Sequence, residues 1–448
     1  MPELLDIVGQ DEALGQLQRA LQSGRQPHAF LFAGPEGVGR ETTAMQLAKL
    51  LLCEAPVKRP NSGRLAELPQ DAPLLVPCNR CPSCVTASAG TNPNLILIFK
   101  ELARFHDDAG VRRRKMQELG LAVIQRFLIA PAHMTSFGGR GRVFIVRQAE
   151  LMSVEAQNAL LKTLEEPPAQ VTIILLSTSV EELLPTTRSR CQVVRFHALP
   201  IDFVAKRLEA SGVSAEEARF WAAMTGGSLG QSLHASQNKL FAFKRDLVGA
   251  LAGLSEAKAT DLAELLVRAM GEQAERLTKA AKTQDKTADK ASGDAEDEEE
   301  GEDSNLAATL ANRLAGQTIL SLLVSVYRDA LHVATGADAS TGAGCHGQPV
   351  LAAGHASAEN TTQAVTPASA STHGQAKRQP DHGTPGPATP LIHADQKTLI
   401  GTIARRSSPL ALAELLGQLA LYEEMLWRNV NIKLLWDNVA LTCAATPA

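Results

Sequence analysis

The chain is poor in aromatic residues, which make up 4% of its 448 positions, and it has no surplus of positive charge. Its 44 Lys and Arg stand against 48 Asp and Glu, a formal net charge of -4. That balance argues against a protein that grips nucleic acid alone through a broad basic surface, and leaves any such contact to be shared with partners. The first residues, MPELLDIVGQDEALG, lack the basic start and apolar run of a secretory signal. No apolar stretch reaches the roughly 18 residues of a membrane span. A cytoplasmic protein without membrane contact is expected. No internal repeat is evident.

The apolar fraction of 44% and charged fraction of 21% are ordinary, and the abundance of Ala and Leu favours helix. Two or three domains are expected, because single cores seldom grow beyond about 250 residues. Seven cysteines in a reducing compartment, three of them packed into CNRCPSC, point to metal binding and not to disulfides.

Residues 1 to about 198 alternate helical and strand patterns. A periodic stretch from Asp11 to Leu21 precedes the strand-like AFLFA at 29–33, a glycine-rich turn and a helix through Leu52, a β-turn-α unit. NLILIF at 94–99, RVFIV at 142–146 and VTIILLS at 171–177 read as strands of a parallel sheet buried on both faces. Between the last two, SVEAQNALLKTLEEPP reads as a helix capped by Ser153 and stopped by Pro167, with Ala156, Ala159, Leu160 and Leu164 as its buried stripe. Residues 199–235 read as a small helical lid that includes the turn TGGSLGQSL at 225–233. Residues 236–448 read as helical, interrupted by a Lys-rich to acidic stretch at about 279–304 and a Gly/Ala/Thr/Ser/His/Pro tract at about 335–395, both expected to be disordered insertions.

Strand, GPEGVGRE, helix is the setting of a phosphate-binding loop, where backbone N–H groups and the positive end of a helix favour phosphate. The pattern G-x-x-x-x-G-K-[ST] needs a lysine on the β/γ phosphates and a hydroxyl on Mg²⁺. Gly34, Gly37 and Gly39 are present, but Arg40 replaces the lysine and Glu41 the hydroxyl residue. Thr42 lies one residue on, about 100° around the helix. The strand RVFIV is followed by Arg147 and Gln148 where acidic residues should hold the metal. Phosphoryl transfer rests on positioned charge, so ATP hydrolysis by this chain is not expected. Passive nucleotide binding through Gly34, Gly37, Gly39 and Arg40 remains open beside a purely structural turn.

Cys78, Cys81 and Cys84 follow C-x-x-C-x-x-C spacing and call for a fourth ligand if they hold tetrahedral Zn²⁺. Cys53, at the end of the helix after the glycine loop, is the candidate. His106 and an iron–sulfur cluster are the alternatives. Four thiolates leave no open coordination position, so the zinc would be structural.

DIVGQ at 6–10, the degenerate GPEGVGRE loop, the cysteine set, NALLKTLEEPP at 158–168 and SRC at 189–191 together resemble the delta-prime subunits of the bacterial DNA polymerase III clamp loader, members of the AAA+ family. The likeness is strong over residues 1 to about 235 and weak beyond, where only helical pattern and RNVN near Asn429 resemble the family. It implies an α/β P-loop fold with a RecA-like parallel sheet at 1–198, a zinc module inserted at about 53–84, a helical lid at 199–235 and an all-α collar at 236–448. It also implies partners: the gamma/tau and delta subunits, and through them the sliding clamp and primed DNA. Arg190 of SRC would act as a finger on the ATP of a neighbouring subunit, against the plain alternative of a salt-bridged surface arginine. The gap from Cys53 to Cys78 is longer than the family's compact module. RRRK at 112–115 reads either as a solvated loop or as a DNA contact. The rivals are an active gamma/tau-type ATPase and a zinc-dependent DNA-binding module.

Overall fold

The computed structural model describes the chain apart from residues 1–2, 25–26, 62, 67, 70–71, 113–117, 140, 239, 290–299, 337–390, 429 and 447–448. It divides into two compact units, Met1–Leu247 with Arg268–Ala315, and Val248–Val267 with Gly316–Ala448.

The first unit is built on seven strands: β1 (Ala29–Ala33), β2 (Val57–Pro60), β3 (Pro73–Val76), β4 (Leu95–Ile98), β5 (Arg142–Val146), β6 (Val171–Ser177) and β7 (Gln192–Arg195). Five of them form a parallel sheet in the order β4-β5-β6-β1-β7. Successive side chains of a strand point to opposite faces, and here both faces are covered. Leu31, Phe144, Ile173 and Leu175 pack with Val123, Leu128, Ala156, Leu160 and Leu164 on one side. Phe30, Phe32, Ile145, Ile174 and Leu176 pack with Leu17, Ala44, Leu47 and Ala48 on the other. Every residue of β1 and β6 is buried, which explains their unbroken apolar runs.

The helix Val154–Glu165 starts where Ser153 Oγ accepts from Ala156 N at 3.2 Å. Ala156, Leu160 and Leu164 are buried, whereas Ala159 is only partly so. Gln157 completes the buried side. Its Nε2 donates to Met152 O at 3.2 Å and its Oε1 accepts from Leu184 N at 2.9 Å, tying the helix to the segment that leads to SRC.

Several local expectations need correction. The loop between Cys53 and Cys78 contains an antiparallel hairpin, β2 with β3, whose prolines Pro60 and Pro73 face each other at the end where the connecting loop begins and whose Val57 and Val76 face each other at the end nearer the cysteines. These strands of four residues, each bounded by a proline, offer too little alternation to read. The separate strand β7 is similarly short. In the turn expected at 225–233, only 225–228 turns, because Ser228 caps a helix, Leu229–Gln237. The expected insertion at 279–304 is helical at both ends, since Ala259–Asp289 runs into it and Glu300–Ala334 begins before it closes. Its Lys, Ala, Gln and Glu are strong helix formers. Residues 290–299 lie outside the described residues.

Among its described residues the second unit has helices as its regular structure, joined by short turns. Ile319, Leu323 and Val326 are buried, as are Ile400 on Lys397–Arg406, Leu412 and Leu419 on Pro409–Leu426, and Trp436 and Val439 on Ile432–Ala445. Of the tract expected to be disordered at 335–395, residues 337–390 are outside the described residues. Its end is not a loose insertion, because Ile392 and His393 are buried and His393 N donates to Asp329 Oδ2 at 2.7 Å. Among the described residues no helix is long and apolar enough to cross a membrane.

Gln10, from DIVGQ, is 2% exposed. Its Nε2 donates to Val38 O at 3.2 Å and His197 O at 2.7 Å, and its Oε1 accepts from His197 N at 3.0 Å. It therefore joins the glycine loop to the chain leaving β7. Gln10→Ala strands those backbone groups, and roughly 2–4 kcal/mol should be lost in a urea melt of the full chain. A loss below about 0.5 kcal/mol would contradict this account of the motif.

Candidate functional site

Strand β1 ends at Ala33, and the chain turns at once through the glycine loop. Gly34 N donates to Ser177 O at 3.2 Å, and a Cβ on Gly34 would lie 2.2 Å from Phe196 O. Gly37 sits at φ +74, where a Cβ would meet Ser228 Oγ at 2.3 Å. Gly39 caps the helix Arg40–Leu51 at φ +109. The loop is held by the next helical element as well. Ser228 Oγ donates to Glu36 O at 2.7 Å and Gly230 N to Gly37 O at 3.0 Å. Gly34, Gly37, Gly39 and Arg40 thus share one tight turn, in which close approach requires glycine at 34 and 37 and the left-handed backbone requires it at 37 and 39.

The charges beside that turn are the reverse of what phosphoryl transfer needs. Glu41 is ion-paired with Arg147, the residue directly after β5, and Arg147 also lies over the Phe99 ring at 5.8 Å. The two positions that would supply a hydroxyl and an acid to a metal are joined to each other as anion and cation. Burial pulls the Arg40 guanidinium below its ordinary range, against the opposing pull of Glu150, Glu36 and Glu41. Thr43, one turn into the helix, is buried and spends its hydroxyl on Gly39 O at 2.8 Å. The Glu41–Arg147 pair is the feature that sequence reasoning missed. Two separate defects were visible, but not that they compensate each other.

The second site is built by the hairpin. Cys53 follows the helix Arg40–Leu51, with its N–H closing on Leu50 O at 3.2 Å, and β2–β3 returns the chain to Cys78. Cys78 N donates to Cys53 Sγ at 3.3 Å, Cys81 N to Cys78 Sγ at 3.4 Å and Cys84 N to Cys81 Sγ at 3.4 Å. Asn79 makes the knuckle possible by adopting φ +59, and its Nδ2 donates to Glu3 Oε1 at 3.0 Å. The sulfurs of Cys53, Cys78, Cys81 and Cys84 all lie within 4.8 Å of one another. Thiolates bound to one zinc ion at ~2.3 Å sit ~3.8 Å apart, so a small contraction would close the set on an ion. The four cysteines can therefore hold a metal, and the donor set is consistent with zinc. His106 is not among them; its Nδ1 accepts from Asp108 N at 3.0 Å.

The thiols differ in acidity. The N–H groups of Arg80 and Cys81 pull Cys78 down to about 6, whereas burial pushes Cys53 and Cys84 up. The same N–H groups favour the thiolate form of Cys78, and Cys53 and Cys84 would surrender their protons to a bound metal.

Arg190 lies just before β7, after the short helix Pro185–Arg188. Its Nε donates to Glu165 Oε1 at 2.7 Å, its Nη2 pairs with the same oxygen, and its Nη1 donates to Thr186 O at 2.8 Å. Residue Phe30 of β1 pairs with Gln192 and Ala33 with Arg195. Arg190 therefore stands at the amino ends of the parallel strands and the glycine loop at their carboxyl ends, a strand length of ~13–16 Å apart. Arg190 does not serve the chain's own loop. Of RRRK, residues 113–115 and the side chain of Arg112 are outside the described residues.

Residues 9–200 match the family model described as DNA polymerase III, delta subunit. The tau subunit of DNA polymerase III from Salmonella typhimurium is 33% identical over 204 residues, 46% of this chain and 27% of its own length. The tau subunit from Escherichia coli is 30% identical over 289 residues, 62% of this chain and 40% of its own. The delta' subunit from Pseudomonas aeruginosa is 32% identical over 182 residues, 41% of this chain and 46% of its own. The chain spans less than half the length of each of these relatives. The matched segment carries a DNA polymerase III delta-subunit-like domain, and its similarity extends to tau/gamma and delta' subunits alike.

Two outcomes follow from these geometries. Zinc affinity should rise with pH, by at least about 100-fold per unit between pH 6 and 7, because Cys53 and Cys84 alone exchange two protons for the metal; a competition titration that gave a flat profile would exclude those two thiols as ligands. In a double-mutant cycle with Glu41→Gln and Arg147→Gln, the coupling should be about 1 kcal/mol or less, since both side chains are well exposed, 39% for Arg147 and 45% for Glu41.

Proposed function

We propose that this chain is a non-hydrolysing clamp-loader subunit of a bacterial replicative DNA polymerase, of the delta-prime type. On this reading it assembles with gamma/tau and delta subunits, completes a neighbour's ATP site through Arg190, and supports loading of the sliding clamp on primed DNA. The observation that carries the reading is the Glu41–Arg147 ion pair beside the glycine loop. A hydroxyl and an acid are needed there for metal-assisted phosphoryl transfer, and this chain has a mutually neutralised pair instead.

The place of Arg190 supports the second half of the proposal. Its position at the amino ends of the strands turns it away from the chain's own loop, so any phosphate it meets belongs to another subunit. A permanently charged, forked guanidinium supplied in trans is worth roughly 10³- to 10⁵-fold in such reactions. The four cysteines would hold a structural zinc, which closes the module between the helix Arg40–Leu51 and the sheet without offering an open coordination position.

The competing reading, an active gamma/tau-type ATPase, draws on the similarity to tau subunits. The two separate cleanly. The purified chain should show no ATP turnover, and a rate abolished by Arg40→Ala would overturn the proposal. In the complex reconstituted with its ATPase subunits, Arg190→Ala should lower DNA-stimulated hydrolysis by at least about 100-fold. A rate equal to that of the wild type would remove the finger.

A further inference from the structure

The guanidinium of Arg190 is already occupied on its own chain. Glu165 takes Nε at 2.7 Å and pairs with Nη2, Thr186 O takes Nη1 at 2.8 Å, and Ser189 Oγ lies 3.4 Å from Nη1. Arginine has five N–H donors in a fixed fork, and the edge formed by Nε and Nη2, an edge suited to bidentate grip, is spent on the carboxylate. Glu165 is the last residue of the helix Val154–Glu165, so the negative end of that helix adds to the attraction for the cation. Gln157 holds this helix to Leu184, at the head of the segment that carries Arg190, which fixes the spacing of the two side chains.

From this arrangement, and resting on the proposed role of Arg190 in trans, we propose that Glu165 is a competing anion. It latches the Arg190 guanidinium on its own chain until the terminal phosphate of a nucleoside triphosphate on a neighbouring subunit displaces it. A terminal phosphate carries a charge of about -1.5 to -2 on three oxygens, against the single charge of the carboxylate. A diphosphate in the same pocket ends one phosphate short and leaves the latch closed. Glu165 is then a specificity-determining residue: it makes engagement of the finger conditional on the third phosphate. Arg190 is two-thirds buried and Glu165 half-exposed, at 33% and 49% exposure. The competition is therefore between contacts of comparable strength and not against a fully desolvated pair.

The test measures association of the full chain with its ATPase subunit loaded with either a non-hydrolysable ATP analogue or ADP, using wild type, E165Q, R190A and the double variant. E165Q should tighten binding to the ATP-analogue-loaded subunit by about two- to five-fold, as expected for release of one exposed ion pair. It should leave the ADP-loaded affinity unchanged, and it should have no effect when R190A is present. The thermal midpoint of isolated E165Q should match that of the wild type, which separates the latch from a structural role. Weaker binding by E165Q, unchanged binding, or an equal change in the R190A background would overturn the latch. R190A without effect under either nucleotide would remove the finger and the latch together, whereas a loss with R190A and none of the expected gain with E165Q removes the latch alone.

Discussion

Burial of both faces of the five-stranded parallel sheet decides where this protein can do chemistry. With Phe30, Phe32, Ile174 and Leu176 packed on one side and Leu31, Phe144, Ile173 and Leu175 on the other, polar side chains are confined to the ends of the strands. Parallel strands make those two ends unlike. The carboxyl ends receive the glycine loop, Arg147 and Ser177, whereas the amino ends receive the turn after Glu165 and the SRC segment. One chain thus presents a phosphate-loop scaffold in one direction and a cation in the other.

Within that frame the glycine loop keeps its shape for reasons of packing. Gly34 and Gly37 allow Phe196 and Ser228 to approach within distances that no Cβ would permit, and Ser228 and Gly230 donate to the loop's own carbonyls. Arg147 and Glu41 fill the charge positions of a metal site with an internal salt bridge of reversed sense. The reversal also explains why the sheet tolerates an arginine directly after β5, where its guanidinium finds both a carboxylate and the face of Phe99.

Much of this was legible in the residues. β1, β5 and β6 coincide with AFLFA, RVFIV and VTIILLS because fully buried parallel strands leave unbroken apolar runs. The Ser153 cap was plain because an N-cap hydroxyl followed by a periodic stripe is a local signal. The gathering of Cys53 with Cys78, Cys81 and Cys84 was anticipated, but the hairpin that accomplishes it was not, since Val57–Pro60 and Pro73–Val76 carry no alternating pattern. The pairings of Glu41 with Arg147 and of Glu165 with Arg190 join residues 106 and 25 positions apart. Such long-range contacts follow from the sheet order and leave no mark on local sequence. The helical ends of the stretch 279–304 were hidden for the opposite reason, because charge and low complexity mask good helix propensity.

The proposed function requires a division of labour: an inert loop on one side of the sheet and a phosphate-seeking arginine on the other. Photolabelling with an ATP analogue that carries its reactive group on the γ-phosphate addresses both at once. In the assembled complex the label should enter this chain at the peptide around Ser189–Cys191, and the isolated chain should take up none. Labelling of the isolated chain at the segment Gly34–Glu41, with none near Arg190 in the complex, would contradict it.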